Sequence, residues 1–118
     1  MVEFALAFPI LLLVIIGLID FGRVIFAYNA VSNAARTGAR VAIVDQNKTV
    51  IEQAALAETV GLDAVVIEHQ ACATLDCLYG LTVREAFTPA TPIISSLIGP
   101  ITVESTARMP VEREYASP

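Results

Sequence analysis

The side chains best suited to chemistry fall within nine positions of one another: His69, Cys72, Asp76 and Cys77. The two cysteines are the only ones in the chain, and four residues separate them. Oxidised, they would close a short turn, a constraint that contributes about 2 kcal/mol on a chain-entropy estimate. Read instead as His-x2-Cys-x4-Cys, the cluster offers a metal three ligands, with only Asp76 nearby to complete the four that a structural zinc takes. An even cysteine count beside an export-type apolar segment favours the disulfide, with free thiols and a metal as the competing states.

Nothing else in the chain adds up to an active site. His69 is the sole histidine, and no second base stands near a plausible nucleophile. Ser32, Ser95, Ser96 and Ser105 lack the turn signature of an activated serine, and there is no glycine-rich phosphate loop. The sequence therefore reads as non-enzymatic, with no catalytic residue, no cofactor-binding residue and no resident metal.

Three charges stand out by their surroundings. Glu3 opens a segment that carries no other charge until Asp20. A carboxylate there is favoured by the helix dipole, but inside an apolar bundle it needs a cation, for which the free α-amino group of an adjacent copy would serve. A place at the membrane surface would satisfy Glu3 equally. Asp20 and Arg23 are three residues apart and can pair on one helix face. Because a carboxylate at mid-bilayer costs about 2.5–3.5 kcal/mol, Asp20 is expected either to mark the lipid boundary or to meet a partner.

The element that positions these charges is a helix over residues 3–40. Its first half, residues 4–19 (FALAFPILLLVIIGLI), is apolar on every side and about 24 Å long at 1.5 Å per residue. Pro9 is expected to bend it or loosen a turn. The 78 residues after Arg40 are too few to wrap such a rod, so lipid or other copies must cover it. A cleaved secretory signal fits poorly, because the start carries an acid and no base, and the helical pattern continues well beyond the apolar run. From Val24 the helix becomes amphipathic: Val24, Ala27, Tyr28, Val31, Ala34, Ala35, Gly38 and Ala42 recur on one side, with Asn29, Asn33, Arg36 and Arg40 opposite. Ala30, Ala34, Ala35, Gly38 and Ala39 make a small-residue face that suits close approach, either by the chain's own head or by another helix.

The rest predicts a small head. Asn47-Lys48-Thr49 spells a glycosylation sequon but reads as loop. A second helix is expected over residues 49–60, burying Val50, Ile51, Ala54, Leu56 and Ala57 and capped by Gly61. Strands follow at residues 64–70, 78–87 and 101–109, in simple antiparallel order. Residues 88–100 form a proline-bounded connection with an apolar middle that covers the head or docks on a neighbour. The fold class is therefore α+β: a long N-terminal hydrophobic helix, a short second helix and a small three-stranded antiparallel sheet. Residues 1–44 form an assembly or transmembrane helix and residues 45–118 a globular head. Residues 43–118 carry ten acids against four bases, which argues against nucleic acid as a partner.

The runs VEFALAFPILLL at residues 2–13, IDFGR at 19–23 and NAARTGAR at 33–40 resemble pilins and pseudopilins of the tight-adherence, TadE-like type; Thr-Pro-Ala-Thr-Pro at residues 88–92 looks similar too. The resemblance implies a precursor held in the inner membrane, trimmed by a prepilin-type peptidase and assembled by a membrane motor into a thin extracellular filament. It matches Glu3 and Phe4 to the Glu-aromatic pair of the processing motif. That motif includes a glycine five positions before the glutamate, whereas two residues precede Glu3 here, so either part of a leader is missing or the chain starts inside the mature protein. The expected function is a structural subunit that polymerises with copies of itself. The alternatives are a minor pilin that primes or tips a filament, or a membrane-anchored binding domain that never polymerises.

Overall fold

The computed structural model describes residues 1–70 and 78–111, an elongated molecule measuring 77 × 22 × 18 Å. Its order is α1 (Val2–Val44), α2 (Lys48–Ala57), β1 (Val65–Gln70), β2 (Leu78–Phe87), α3 (Pro92–Ile98) and β3 (Ile101–Pro110). The three strands form one antiparallel sheet in the order β1-β2-β3, so the expected α+β class and simple meander are observed. Cys72 and Cys77 lie outside the described residues.

Helix α1 is a single element of 43 residues, continuous through Pro9. Its two halves meet different surroundings. Between Val2 and Ile19 almost every side chain is exposed, whereas Ala27, Ala30, Val31, Ala34, Ala35, Gly38, Ala39 and Ala42 are buried. The small-residue face thus lies against the chain's own head. Asn29, Asn33, Arg36 and Arg40 point away, as their spacing predicts. Tyr28 does too, against expectation: it is exposed, while its neighbours Ala27, Ala30 and Val31 are buried.

Large residues on the sheet and on α2 meet small ones on the helix. Tyr79, Leu81 and Val83 from β2 and Ile51 and Ala55 from α2 complete the core, with Val65, Ile67, Ala107 and Met109 packed at its margin. Gly38 shows how tight this is. A Cβ placed there would sit 2.2 Å from Leu81 Cδ2 and 3.3 Å from Ala55 Cβ.

Helix α2 is shorter than its sequence pattern suggests and is turned differently. Ile51 and Ala55, one helical turn apart, face the core, while Val50, Leu56 and Ala57 are exposed. Its start lies in the sequon: Asn47 caps the helix, its side chain accepting from the Thr49 backbone amide (3.2 Å) and the Thr49 hydroxyl (2.7 Å). The end is not at Gly61 but at Glu58, which caps the helix in a right-handed conformation. Gly61, at φ 91°, instead turns the chain towards β1.

The connection of residues 88–100 contains α3, which the sequence reading took for irregular structure. Its signals are Pro92 in the first turn and Gly99 (φ 74°) at the end, followed by Pro100. Filling the Gly38 space tests the core: Gly38→Leu should cost the folded head about 1–3 kcal/mol, read as a lower thermal midpoint by circular dichroism in mild detergent. Gly22→Ala, where a Cβ meets nothing within 4 Å, should leave the midpoint unchanged or slightly raised.

Candidate functional site

The apolar half of α1 ends at a carboxylate that is 5% exposed. Asp20 Oδ1 accepts the Ala90 backbone N–H (3.2 Å), and Oδ2 accepts the Thr91 N–H (2.9 Å) and the Thr91 hydroxyl. Local sequence prepares these donors. A residue before proline is held extended, and Thr91 (φ −73°, ψ 115°) is so held by Pro92. Its amide and hydroxyl are thereby both free to face the helix. The Thr91 side chain makes no capping bond to α3 because it is spent on Asp20.

Arg23 is the second element of the clasp. Its Nη1 lies 3.6 Å from Asp20 Oδ1, and its guanidinium carbon lies 5.1 Å from the ring centroid of Phe87, at the end of β2. The Arg23 side chain is half exposed, and an ion pair of that length and exposure adds 0–1 kcal/mol. Hydrogen bonds to a charged group outweigh a long, half-exposed ion pair, so the Ala90 and Thr91 donors carry the junction and Arg23 flanks it. Sequence reasoning placed Asp20 and Arg23 on one face but missed Ala90 and Thr91. The signal was present in an acid at the apolar boundary and a Thr-Pro step with two free donors.

Glu3 lies in the first turn of α1, and Phe4 stacks on Phe8 with centroids 5.8 Å apart. Both aromatics are exposed, as is the whole surface around them. Among the described residues the rod from Val2 to Ile19 therefore has no apolar partner.

His69 is occupied by two side chains outside the proposed metal set. Its Nδ1 lies 2.6 Å from the Tyr79 hydroxyl and its Nε2 lies 2.9 Å from Glu52 Oε1. An ionised carboxylate only accepts, so a neutral imidazole donates through Nε2 and accepts the Tyr79 O–H at Nδ1. Burial, helped by the Glu52 charge, pushes the Tyr79 phenol up, which keeps that proton in place. The arrangement has the donor order of a proton relay, but Tyr79 is buried in the core, so it serves to join α2, β1 and β2. Among the described residues no group of three or more metal-binding side chains occurs.

Glu85, on the core side of β2, is buried with Oε2 lacking a hydrogen-bond partner. Burial pushes its carboxyl above the usual range; the Asp63 backbone amide opposes this, while the Asp63 charge adds to it. A raised folded pKa favours the protonated acid, so this stabilisation is complete below the unfolded carboxylate range and is lost as pH rises through the folded value. Glu85→Gln should accordingly raise the thermal midpoint at about pH 7, with a gain that shrinks towards about pH 4. The clasp predicts a different change: Asp20→Ala should lower the thermal midpoint and accelerate hydrogen exchange at residues 88–91, with β1 and β2 still protected. Thr91→Val, which keeps the amides bonded, should cost about 1 kcal/mol.

A comparison with protein families matches residues 1–40 to the model described as TadE-like protein. No curated protein and no solved structure matches the chain. The matched span holds Glu3, Phe4, the bare rod, Asp20 and Arg23, and its last third is the small-residue face that the head covers. The first 40 residues of this chain are thus similar to the TadE-like family, and the match does not extend to the rest.

Proposed function

We propose that this chain is a pilin-like structural subunit that polymerises through residues 1–44 into a tight-adherence filament outside the cell, with the head of residues 45–118 facing outward. The observation that carries this reading is the bare rod within the TadE-like segment. Eighteen residues from Val2 to Ile19 form about 27 Å of helix, close to the ~30 Å of a bilayer core. Before assembly, lipid of the inner membrane covers this surface, where prepilin-type processing and the assembly machinery meet the subunit. Leaving lipid forfeits about 1–2 kcal/mol per apolar residue, on the order of 20–30 kcal/mol in all. Rods of neighbouring copies, packed in a filament core, restore it. Cell adhesion is a task such a filament would serve.

In that core Glu3 is the one charge on the rod, and the α-amino group of an adjacent mature subunit is its cation. The pair sets the axial offset between copies, since sliding along an otherwise uniform apolar surface leaves the carboxylate unpaired.

Purified surface filaments should contain this chain as the main component by mass spectrometry. A trace amount would indicate a minor pilin at a tip or base, and recovery from the inner-membrane fraction alone would indicate an anchored domain that does not polymerise. Glu3→Ala should reduce assembled filament by about tenfold or more, a change that needs only about 1.4 kcal/mol per subunit contact, with the circular dichroism of the head unchanged. Wild-type filament yield from that variant would remove the charge pairing.

A further inference from the structure

The Asp20 clasp fixes α3 at the level along α1 where the bare rod ends. Thr91, bonded to Asp20 through its amide and hydroxyl, is followed directly by Pro92, the first residue of α3. A helix of seven residues is about 10 Å long, so all of α3 stays within about 10 Å of that level. None of its residues is buried. Ile93, Leu97 and Ile98 are 57%, 84% and 61% exposed, and with Ile94 they form one apolar side, since positions 93, 94, 97 and 98 fall together at helical spacing. Ser95 and Ser96 occupy the other side, where the Ser96 hydroxyl bonds the Ile93 carbonyl at 3.0 Å. From Ala86 to Val103 the chain carries no charge at all, although the head around it is acidic.

We propose that α3 is a membrane-interface helix, whose Ile93, Leu97 and Ile98 lie at the boundary between lipid headgroups and acyl chains while the rod of the same chain spans the bilayer. This rests on the reading of α1 as a membrane span before assembly. Two features select lipid as the occupant. The apolar side is continuous in level with the rod surface at Leu18 and Phe21, both well exposed, so a bilayer that covers one reaches the other. Its few side chains also fall far short of the roughly 1,000 Å² that a stable contact between proteins requires. A lipid contact needs no such area, because the rod already holds α3 at the surface and docking loses little freedom of motion. The half-exposed Arg23 guanidinium stands one turn from Asp20, at the level of lipid phosphates. Docked in this way, α3 sets how deep α1 sits and prevents the acidic head from sinking or tilting.

The chain has no tryptophan, so single substitutions report depth without background. The full chain, carrying Leu97→Trp, Leu11→Trp or Leu56→Trp, is reconstituted in phosphatidylcholine vesicles whose acyl chains are brominated near the headgroup or at mid-chain. Leu97→Trp should emit blue-shifted and be quenched about twofold or more by shallow bromines, and less by deep ones. Leu11→Trp should be quenched most by deep bromines, and Leu56→Trp, exposed on α2, by neither. If Leu11→Trp is quenched but Leu97→Trp emits as in water and is unquenched, the interface helix is wrong and the span stands. If Leu11→Trp escapes the bromines, the span itself fails and the proposal falls with it. A blue shift at Leu97→Trp that is not quenched and fades as protein is diluted in lipid assigns α3 to a second copy and overturns the proposal.

Discussion

A carboxylate bonded to two backbone amides and a hydroxyl decides where this protein stops covering its own helix. Above Asp20 the helix lies under a sheet; below it, the helix meets nothing else among the described residues. Both halves are apolar enough to need cover, and the described residues of the head supply it for one only. The carboxylate suits the junction because it satisfies the turn that brings the β2 end back over the helix, where the Ala90 and Thr91 donors would otherwise be stranded near apolar surface. An apolar residue at position 20 would continue the rod without holding the strand connection to it.

The packing above the clasp explains the composition of the helix. Alanine, glycine and valine on α1 let the sheet approach closely, and Leu81, Val83, Tyr79 and Ile51 fill the space from the other side. That face is consumed within the chain. Any contact that α1 makes with another copy must therefore use the rod below Asp20 or the outward side of the upper half, where Ile25, Phe26 and Tyr28 remain exposed. The sheet's outer surface is of another kind. Arg84 lies 3.2 Å from Glu68 and 3.0 Å from Glu104 across both neighbouring strands, and Thr82 bonds Thr106 at 2.8 Å. The exposed Arg84 ion pairs add little to stability but, with the Thr82–Thr106 bond, keep that surface polar.

Periodicity made most of this legible. The limits of β2 are those that alternation predicts, and α1, β1 and β3 agree to within a few residues, because each has one face buried and one exposed, or is apolar throughout. What escaped was set by tertiary context. Helix α3 is under two turns long, too short for a period to show, and only its Pro92 and Gly99 boundaries announce it. On α2, a row of apolar residues wider than the surface available to bury it left Val50 and Leu56 outside. Asn47 looked like loop because a capping residue and a loop residue are of the same type. The partners of Asp20 lie some 70 positions away, beyond the reach of any local rule.

Register is the deeper reason for a polar clasp. Small side chains make the buried face of α1 nearly smooth along its axis, and apolar contact is non-directional, so the sheet could slip by a turn of about 5.4 Å at little loss of buried area. Two features oppose that. Leu81 fills the notch at Gly38, where even a methyl group would collide, and the hydrogen bonds at Asp20 tolerate only a few tenths of an ångström. They stand 18 residues apart, about 27 Å along the helix, so together they fix both the position and the direction of the head. For the proposed role this rigidity matters: a load applied to the head would pass into the helix at Asp20, next to the surface that lipid or neighbouring copies are proposed to hold.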